Sequence, residues 1–207
     1  MGKRGYKSRE PYKIKRCVIA LDQSYARTGI AIAVDGKLKK IKSIDFKRVH
    51  NKTNKRNLLR ETLRNAINSC LKKFDASEIN VIFERIRTFT QSDIMNVEYL
   101  KQTGALCSAI IDTASEFGID CWSADTRAWK ASVLGTSKPS MEPYRGVTNP
   151  NKILDVKFIV ELGYGEMISI HRGKSGKQFA KYDDDAADAA CIALYGFKIQ
   201  NTLRKEE

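Results

Sequence analysis

The sequence predicts an α/β domain, and three observations predict it. Short apolar runs alternate with turn signals between Cys17 and Phe46, which is the pattern of strands and tight connections. From Asn54 onward the apolar residues recur at helical spacing instead. Two further strand-like runs, 79–83 and 119–122, each follow such a helix. At 207 residues the chain is long enough for one domain with a substantial core and short for two.

Residues 1–16 hold seven basic residues and one acid without apolar periodicity. They read as a flexible basic arm able to touch phosphates non-specifically. Residues 17–21 (CVIAL) make a short buried strand, 22–29 a turn, and 30–34 a second strand. Asp35-Gly36 is a hairpin signal, and 38–46 alternates apolar and polar residues as a third strand. Leu59, Leu63, Ala66, Ile67, Cys70, Leu71 and Phe74 fall on one face of a helix over 54–74, with Thr53 or Asn54 as its N-cap. The fourth strand, 79–83, ends at Glu84. A long helix follows over 92–117, whose Gly104, Ala105, Ser108 and Ala109 are small enough to let another helix approach. Gly118 closes it before the fifth strand, 119–122. A short helix over 125–134 takes Asp125 or Thr126 as cap. Three of the four prolines fall in 135–150, the composition of an ordered loop or flap. Helix 151–162, an irregular polar stretch over 163–181 and a last helix over 184–195 complete a domain taken as 17–198. The polar tail, 199–207, should fray.

Composition narrows the function. Thirty-seven Lys and Arg against 24 Asp and Glu give a net charge of +13, which suits a polyanionic partner, nucleic acid before an anionic membrane. No stretch approaches the ~20 apolar residues that span a bilayer, and the start lacks the apolar segment of a secretory signal, so a cytoplasmic location is expected. Cys17, Cys70, Cys107, Cys121 and Cys191 are dispersed without a C-x-x-C pair. Free buried thiols are therefore expected, not structural zinc. His50 and His171 read as loop histidines, too sparse for a zinc centre.

Four acids stand apart from the other twenty. Asp22 and Glu84 each follow an apolar strand, and Asp185 and Asp188 lie near the start of a helix otherwise built of small apolar residues. Positions three apart share a helix face, so both carboxylates can point one way. Unpaired charges turned toward a core cost several kcal/mol, on the order of the penalty for a broken buried ion pair. Each acid has an ordinary reading: Asp22 as a turn cap, Glu84 as a partner of Arg85 or Arg87, Asp183-Asp184-Asp185 as complements to a helix dipole. Their joint occurrence at the ends of successive elements points instead to a divalent metal site. Converging hard oxygens suit Mg2+, with Mn2+ as a substitute. Two ions about 4 Å apart would activate water and steady a leaving oxygen in phosphodiester hydrolysis.

These residues resemble the RuvC-like Holliday-junction resolvases, especially the phage-encoded group, within the ribonuclease H-like superfamily. The resemblance runs from about Cys17 to Gly196 and rests on Asp22 in VIALDQSYARTGIAI, Glu84 in NVIFERI and the closing DDAADAACIAL. It implies a ribonuclease H-like fold with a mixed five-stranded sheet flanked by helices, a homodimer, and cleavage of branched DNA, above all four-way junctions. Asp22, Glu84, Asp185 and Asp188 would then hold two Mg2+ ions per site. The segment WSADTRAWKASVLG with the later Asn151-Lys152 is similar to the family's basic segment, which would put Lys130 and Lys152 near the scissile phosphate and Arg127 on the DNA. Arg85, Arg87 and Phe89 follow the Glu motif as further DNA contacts. Bacterial members place an aromatic three residues after the Glu, where this chain has Arg87 and, nearest, Phe89. Asp184, four residues before Asp188, is an alternative ligand to Asp185. The loop after the short helix looks longer than the family's turn, and its Lys138, Tyr144 and Arg145 are either DNA contacts of this chain or an ordinary surface insertion.

Three rivals remain open on sequence. A ribonuclease H proper would cut RNA in RNA–DNA hybrids. An actin-like ATPase would need a second phosphate-binding glycine-rich hairpin, which is not found. A non-catalytic junction-binding protein would have little use for acids that repel DNA unless metal neutralises them.

Overall fold

The computed structural model describes residues 15–47, 49, 51–86, 97–170 and 181–203, with only the backbone for Lys181 and 200–203. Of the arm expected over 1–16, residues 1–14 lie outside the described residues, as do His50, Arg87, Phe89 and His171. The arm's last two residues are held instead of flexible: Lys15 is buried and donates to Asp120 Oδ2 at 2.6 Å, and Arg16 pairs with Asp35 at 3.0 Å while its backbone N–H donates to the Glu78 carbonyl oxygen.

Strands β1 (Cys17–Asp22), β2 (Arg27–Val34) and β3 (Lys37–Asp45) form an antiparallel meander. Asp35 and Gly36 both take positive φ between β2 and β3, as a tight hairpin of this twist requires. Helix α1 (Lys52–Leu71) crosses to β4 (Ile79–Glu84), which pairs parallel with β1. Helix α2 (Val97–Glu116) crosses to β5 (Asp120–Ala124), parallel to β4. The five-stranded sheet has the order β3-β2-β1-β4-β5, mixed as expected. The central strand β1 is buried along its whole length, which is why it reads as an unbroken apolar run.

Side chains alternate between two cores. Ile19, Leu21 and Val81 point to one face, where they meet Leu59, Leu63 and Ile67 of α1 and Leu106 and Ile110 of α2. Val18, Ala20 and Ile82 point to the other, which is covered by α3 (Thr126–Leu134), α4 (Ile153–Ile159) and α5 (Asp184–Leu203). Arg60–Asp112 and Arg64–Glu116, each at 2.8 Å, bridge α1 to α2 on the outside. Lys37, Lys39, Lys40 and Lys42 stand exposed along β3, an edge strand.

Several boundaries differ from expectation. The cap of α1 is Asn51, whose side chain accepts from the Thr53 N–H at 2.8 Å, so the helix starts two residues early. Helix α4 ends at Ile159, and a widened turn to Tyr164 and a 3-10 turn to Ile168 continue the chain. A two-residue ribbon, β6 (Ser169–Ile170) against β7 (Lys181–Tyr182), falls within and at the end of the stretch read as irregular. Helix α5 runs on to Leu203, through the start of the expected tail. The five cysteines are free thiols, four buried and Cys121 partly so. No helix among the described residues is long and apolar enough to cross a membrane.

Candidate active site

Parallel pairing of β1 with β4, with Leu21 opposite Phe83, puts Asp22 and Glu84 at neighbouring strand ends. The two carboxyl groups act on each other there, Glu84 adding to the upward push on Asp22. Gln23 reinforces the junction by donating to the Glu84 carbonyl oxygen at 2.5 Å. The third and fourth acids arrive on α5, and small residues determine how close that helix comes. Asp22 pairs with Gly29 on β2, and a Cβ on Gly29 would lie 1.9 Å from the Asp185 carbonyl oxygen. Only a residue without a side chain lets the helix start sit there. Asp183 caps that start: its carboxylate accepts from the Ala186 N–H at 3.1 Å and from the Ser43 hydroxyl at 2.5 Å.

One ammonium joins the acids. Lys152 Nζ is bonded to the Asp188 carboxylate and lies 3.4 Å from Asp22 Oδ2 and 3.6 Å from Asp185 Oδ1. Asp184 makes no ion pair with it. Asp22 and Asp188 are almost fully buried, so their charge is held where it costs most. Burial pushes the Asp22 carboxyl well above the usual carboxylate range, Lys152 opposing and Asp188 and Glu84 adding. Asp185 is pushed up to about 6, again by burial first, with Lys152 opposing. For Lys152 itself burial disfavours the charged form, but Asp188 and Asp22 outweigh it and raise its pKa.

No protein-family model and no curated protein sequence matches the chain. Solved structures do. RuvC of Thermus thermophilus is similar at 14% identity and a TM-score of 0.57, over 90% of this chain and 96% of that one. The same protein in complex with a Holliday junction substrate is similar at 13% identity and a TM-score of 0.57, over 89% and 95%. The yeast mitochondrial Holliday junction resolvase Ydc2 is similar at 14% identity and 0.54, over 95% and 83%. The chain has the RuvC fold.

On this RuvC fold the residues present fit a hard divalent cation. The donors are all carboxylate oxygens, they come from β1, β4 and α5, and Lys152 stands as a cation among three of them. Asp188 Oδ1 is buried without a hydrogen-bond partner, an acceptor left over for a ligand. A tighter grouping exists at Asp183, Asp184 and Asp185, whose oxygens lie within 4.8 Å of one another. Its members are a helix cap and its neighbours, and Asp183 is already satisfied by Ser43, Ala186 and Arg27. The convergence on Lys152 is the stronger site because its acids come from separate elements and share one cation.

A cleft of about 600 Å³ opens beside these acids, lined by Glu84, Asp188, Lys152, Arg85, Arg127 and Tyr99 among others. Arg85, Arg127, Lys130 and Lys152, named from sequence, all border it. Lys130 does so with its ammonium turned inward, bonded to Asp155 Oδ2 at 2.5 Å and to the Asn151 carbonyl oxygen at 2.7 Å. Lys138 borders a smaller hollow with Lys130. Arg145 lies against the Tyr144 ring and donates to the Tyr182 hydroxyl at 3.2 Å.

Three participants were not named from sequence. Trp129, fully buried, donates its indole N–H to Glu84 Oε1 at 3.3 Å. A buried Trp must find an acceptor, and its place one residue before Lys130 was the available signal. Gln23 gave none. Asp155, fully buried on α4, was not singled out within the helix expected over 151–162. Burial first, then Asp188, push its carboxyl up to about 8.

Proposed function

We propose that this chain is a divalent-cation-dependent endonuclease that resolves four-way DNA junctions by paired symmetric nicks. The observation that carries it is the gathering of Asp22, Asp185 and Asp188 around Lys152, with Glu84 beside Asp22, at the mouth of a basic cleft on a RuvC fold. A solved neighbour holds a Holliday junction substrate, which supports branched DNA as the ligand here.

Asp22, Glu84, Asp185 and Asp188 would hold the metal, Mg2+ or Mn2+, two ions per site. Bound there, it supplies an activated water and charge stabilisation at the leaving oxygen. The chain's own residues do the rest. Gln23 and Trp129 fix Glu84, and the cap at Asp183 with the close seat on Gly29 fixes Asp185 and Asp188. Lys152 neutralises Asp22, Asp185 and Asp188, and would be available to the scissile phosphate if a bound cation took over those acids. Arg85 and Arg127 hold the backbone of the arms, so affinity falls steeply with salt.

Two symmetric nicks call for two sites related by a two-fold axis, hence a homodimer. The outer face of α2 is the surface proposed for it: Ser108 and Ile111 are exposed, and a Cβ on Gly104 would meet nothing within 4 Å.

The test is digestion of a mobile four-way junction and an RNA–DNA hybrid side by side in Mg2+, with product ends mapped. Paired nicks in opposed strands of the junction are expected, with the hybrid intact. Hybrid cleavage alone would reassign the chain to ribonuclease H chemistry. Asp188→Asn is expected to bind the junction normally while cleaving at least about 1000-fold slower, the scale of losing a central electrostatic contributor. Near-normal nicking by that variant would end the proposal.

A further inference from the structure

Beneath the acids lies a buried Lys–Asp pair that ties α3 to α4. Asp155 on α4 is fully buried, and the Lys130 side chain on α3 is only 14% exposed. Asp155 Oδ2 accepts from Lys130 Nζ at 2.5 Å. The same ammonium donates to the carbonyl oxygen of Asn151, at 2.7 Å, the residue immediately before Lys152. The other carboxylate oxygen of Asp155 is buried with no hydrogen-bond partner, as is Asp188 Oδ1 on α5, the helix packed against α4. Asp155 does not line the cleft.

Stability does not account for this arrangement. A buried ion pair is at best a weak stabiliser, and apolar replacements of similar volume often do as well or better. What the pair does do is touch both sides of the site. Lys130 anchors the turn from which Lys152 projects, and its partner Asp155 is buried on α4 where that helix packs on α5, which carries Asp188. Outer groups that orient metal-binding carboxylates are worth about 10–100-fold in metal affinity or activity.

We propose that Asp155 and Lys130 are a positioning pair, which sets Asp188 and Lys152 at their working distance. This rests on the nuclease reading above, and it moves Lys130 from phosphate contact to scaffold. Neither residue touches substrate.

The experiment compares Asp155→Ala, Asp155→Asn and Lys130→Met with the wild type. Three quantities are read: Mn2+ affinity by calorimetry on the DNA-free protein, junction affinity in Ca2+, and single-turnover cleavage in Mg2+. Asp155→Ala is expected to weaken Mn2+ binding and slow cleavage, each by about 10–100-fold, with junction affinity unchanged. An amide can accept from Lys130 and donate to Asp188, so Asp155→Asn is expected to recover most of both losses. Lys130→Met should repeat the alanine pattern, and it carries the test if Asp155→Ala does not fold. Wild-type Mn2+ affinity and cleavage in Asp155→Ala and Lys130→Met overturn the pair, as does an asparagine no better than alanine. A drop in junction affinity in Lys130→Met, with Mn2+ binding intact, returns Lys130 to the phosphate and also overturns it. If the wild type cuts no junction, the nuclease reading fails separately, and the Mn2+ arm still decides on Asp155.

Discussion

The two faces of the sheet are covered in opposite ways. On one, α1 and α2 present Leu59, Leu63, Ile67, Leu106 and Ile110, bulky side chains that hold the helices off the strands. On the other, α5 presents Ala186, Ala187, Ala189, Ala190 and Ala193 and lies almost on the backbone. It is admitted at both ends by glycine: a Cβ would come within 1.9 Å of Asp185 O at Gly29 and within 2.3 Å of Ile82 Cδ1 at Gly196. The difference teaches what each side is for. Large apolar contacts supply most of the hydrophobic stabilisation, at roughly 25 cal/mol per Å² removed from water. Small ones give up area to gain proximity, which brings two acids on a helix against an acid at a strand end.

The most damaging way to break this contrast is Gly29→Ala. The added methyl meets backbone, so the start of α5 must lift; a loss of about 3 kcal/mol and about 100-fold in cleavage is expected, since misplacing reacting groups by about 1 Å costs that much. Chemical denaturation and single-turnover kinetics measure both, and an undisturbed rate would show that the close seat is not what aligns Asp185 and Asp188. Next in size is Lys152→Met. Without metal, three acids lose their shared cation, and a fall of about 5–10 °C in Tm is expected. Mn2+ binding should tighten in the same variant by about tenfold for each ~1.4 kcal/mol of competing attraction removed. Unchanged affinity would mean that the ammonium and the metal do not contend for one place.

A smaller effect follows from pH. The Asp155 carboxyl is pushed up to about 8, so folding favours its protonated form. That contribution is complete below the unfolded aspartate value, near 4, and is lost as pH rises through 8. Asparagine has no such loss. In EDTA, the Tm of Asp155→Asn relative to wild type should rise by several degrees between pH 4 and pH 8, and a flat difference would contradict the buried, proton-binding carboxyl. The smallest effect belongs to the opposite face. Arg64→Ala removes an exposed bridge to Glu116 and should cost under about 1 kcal/mol, leaving cleavage within about twofold.

Sequence carried the frame and the acids because both are written in local pattern. The run 17–21, the Asp35-Gly36 turn and the helical period from Asn54 each have one sensible conformation, and Asp22 and Glu84 are marked by the strands they terminate. What sequence hid is set by tertiary contact. Asp155 looks like any polar position on a helix until Lys130 and Asp188 are beside it. Sequence put the cap of the first helix at Thr53 or Asn54, and geometry chose Asn51, in the same polar run. The last helix was ended before Gly196, yet the chain stays helical there because close approach to Val18 and Ile82 requires a glycine.

The row of lysines along β3 has a consequence for assembly. An uncovered outer strand offers free backbone donors and acceptors to a second molecule, and self-repelling side chains are a means of refusing that offer. With Lys37, Lys39, Lys40 and Lys42 on display, two copies meeting strand to strand would stack like charge on like charge. Fibre-like growth along this border is thereby discouraged.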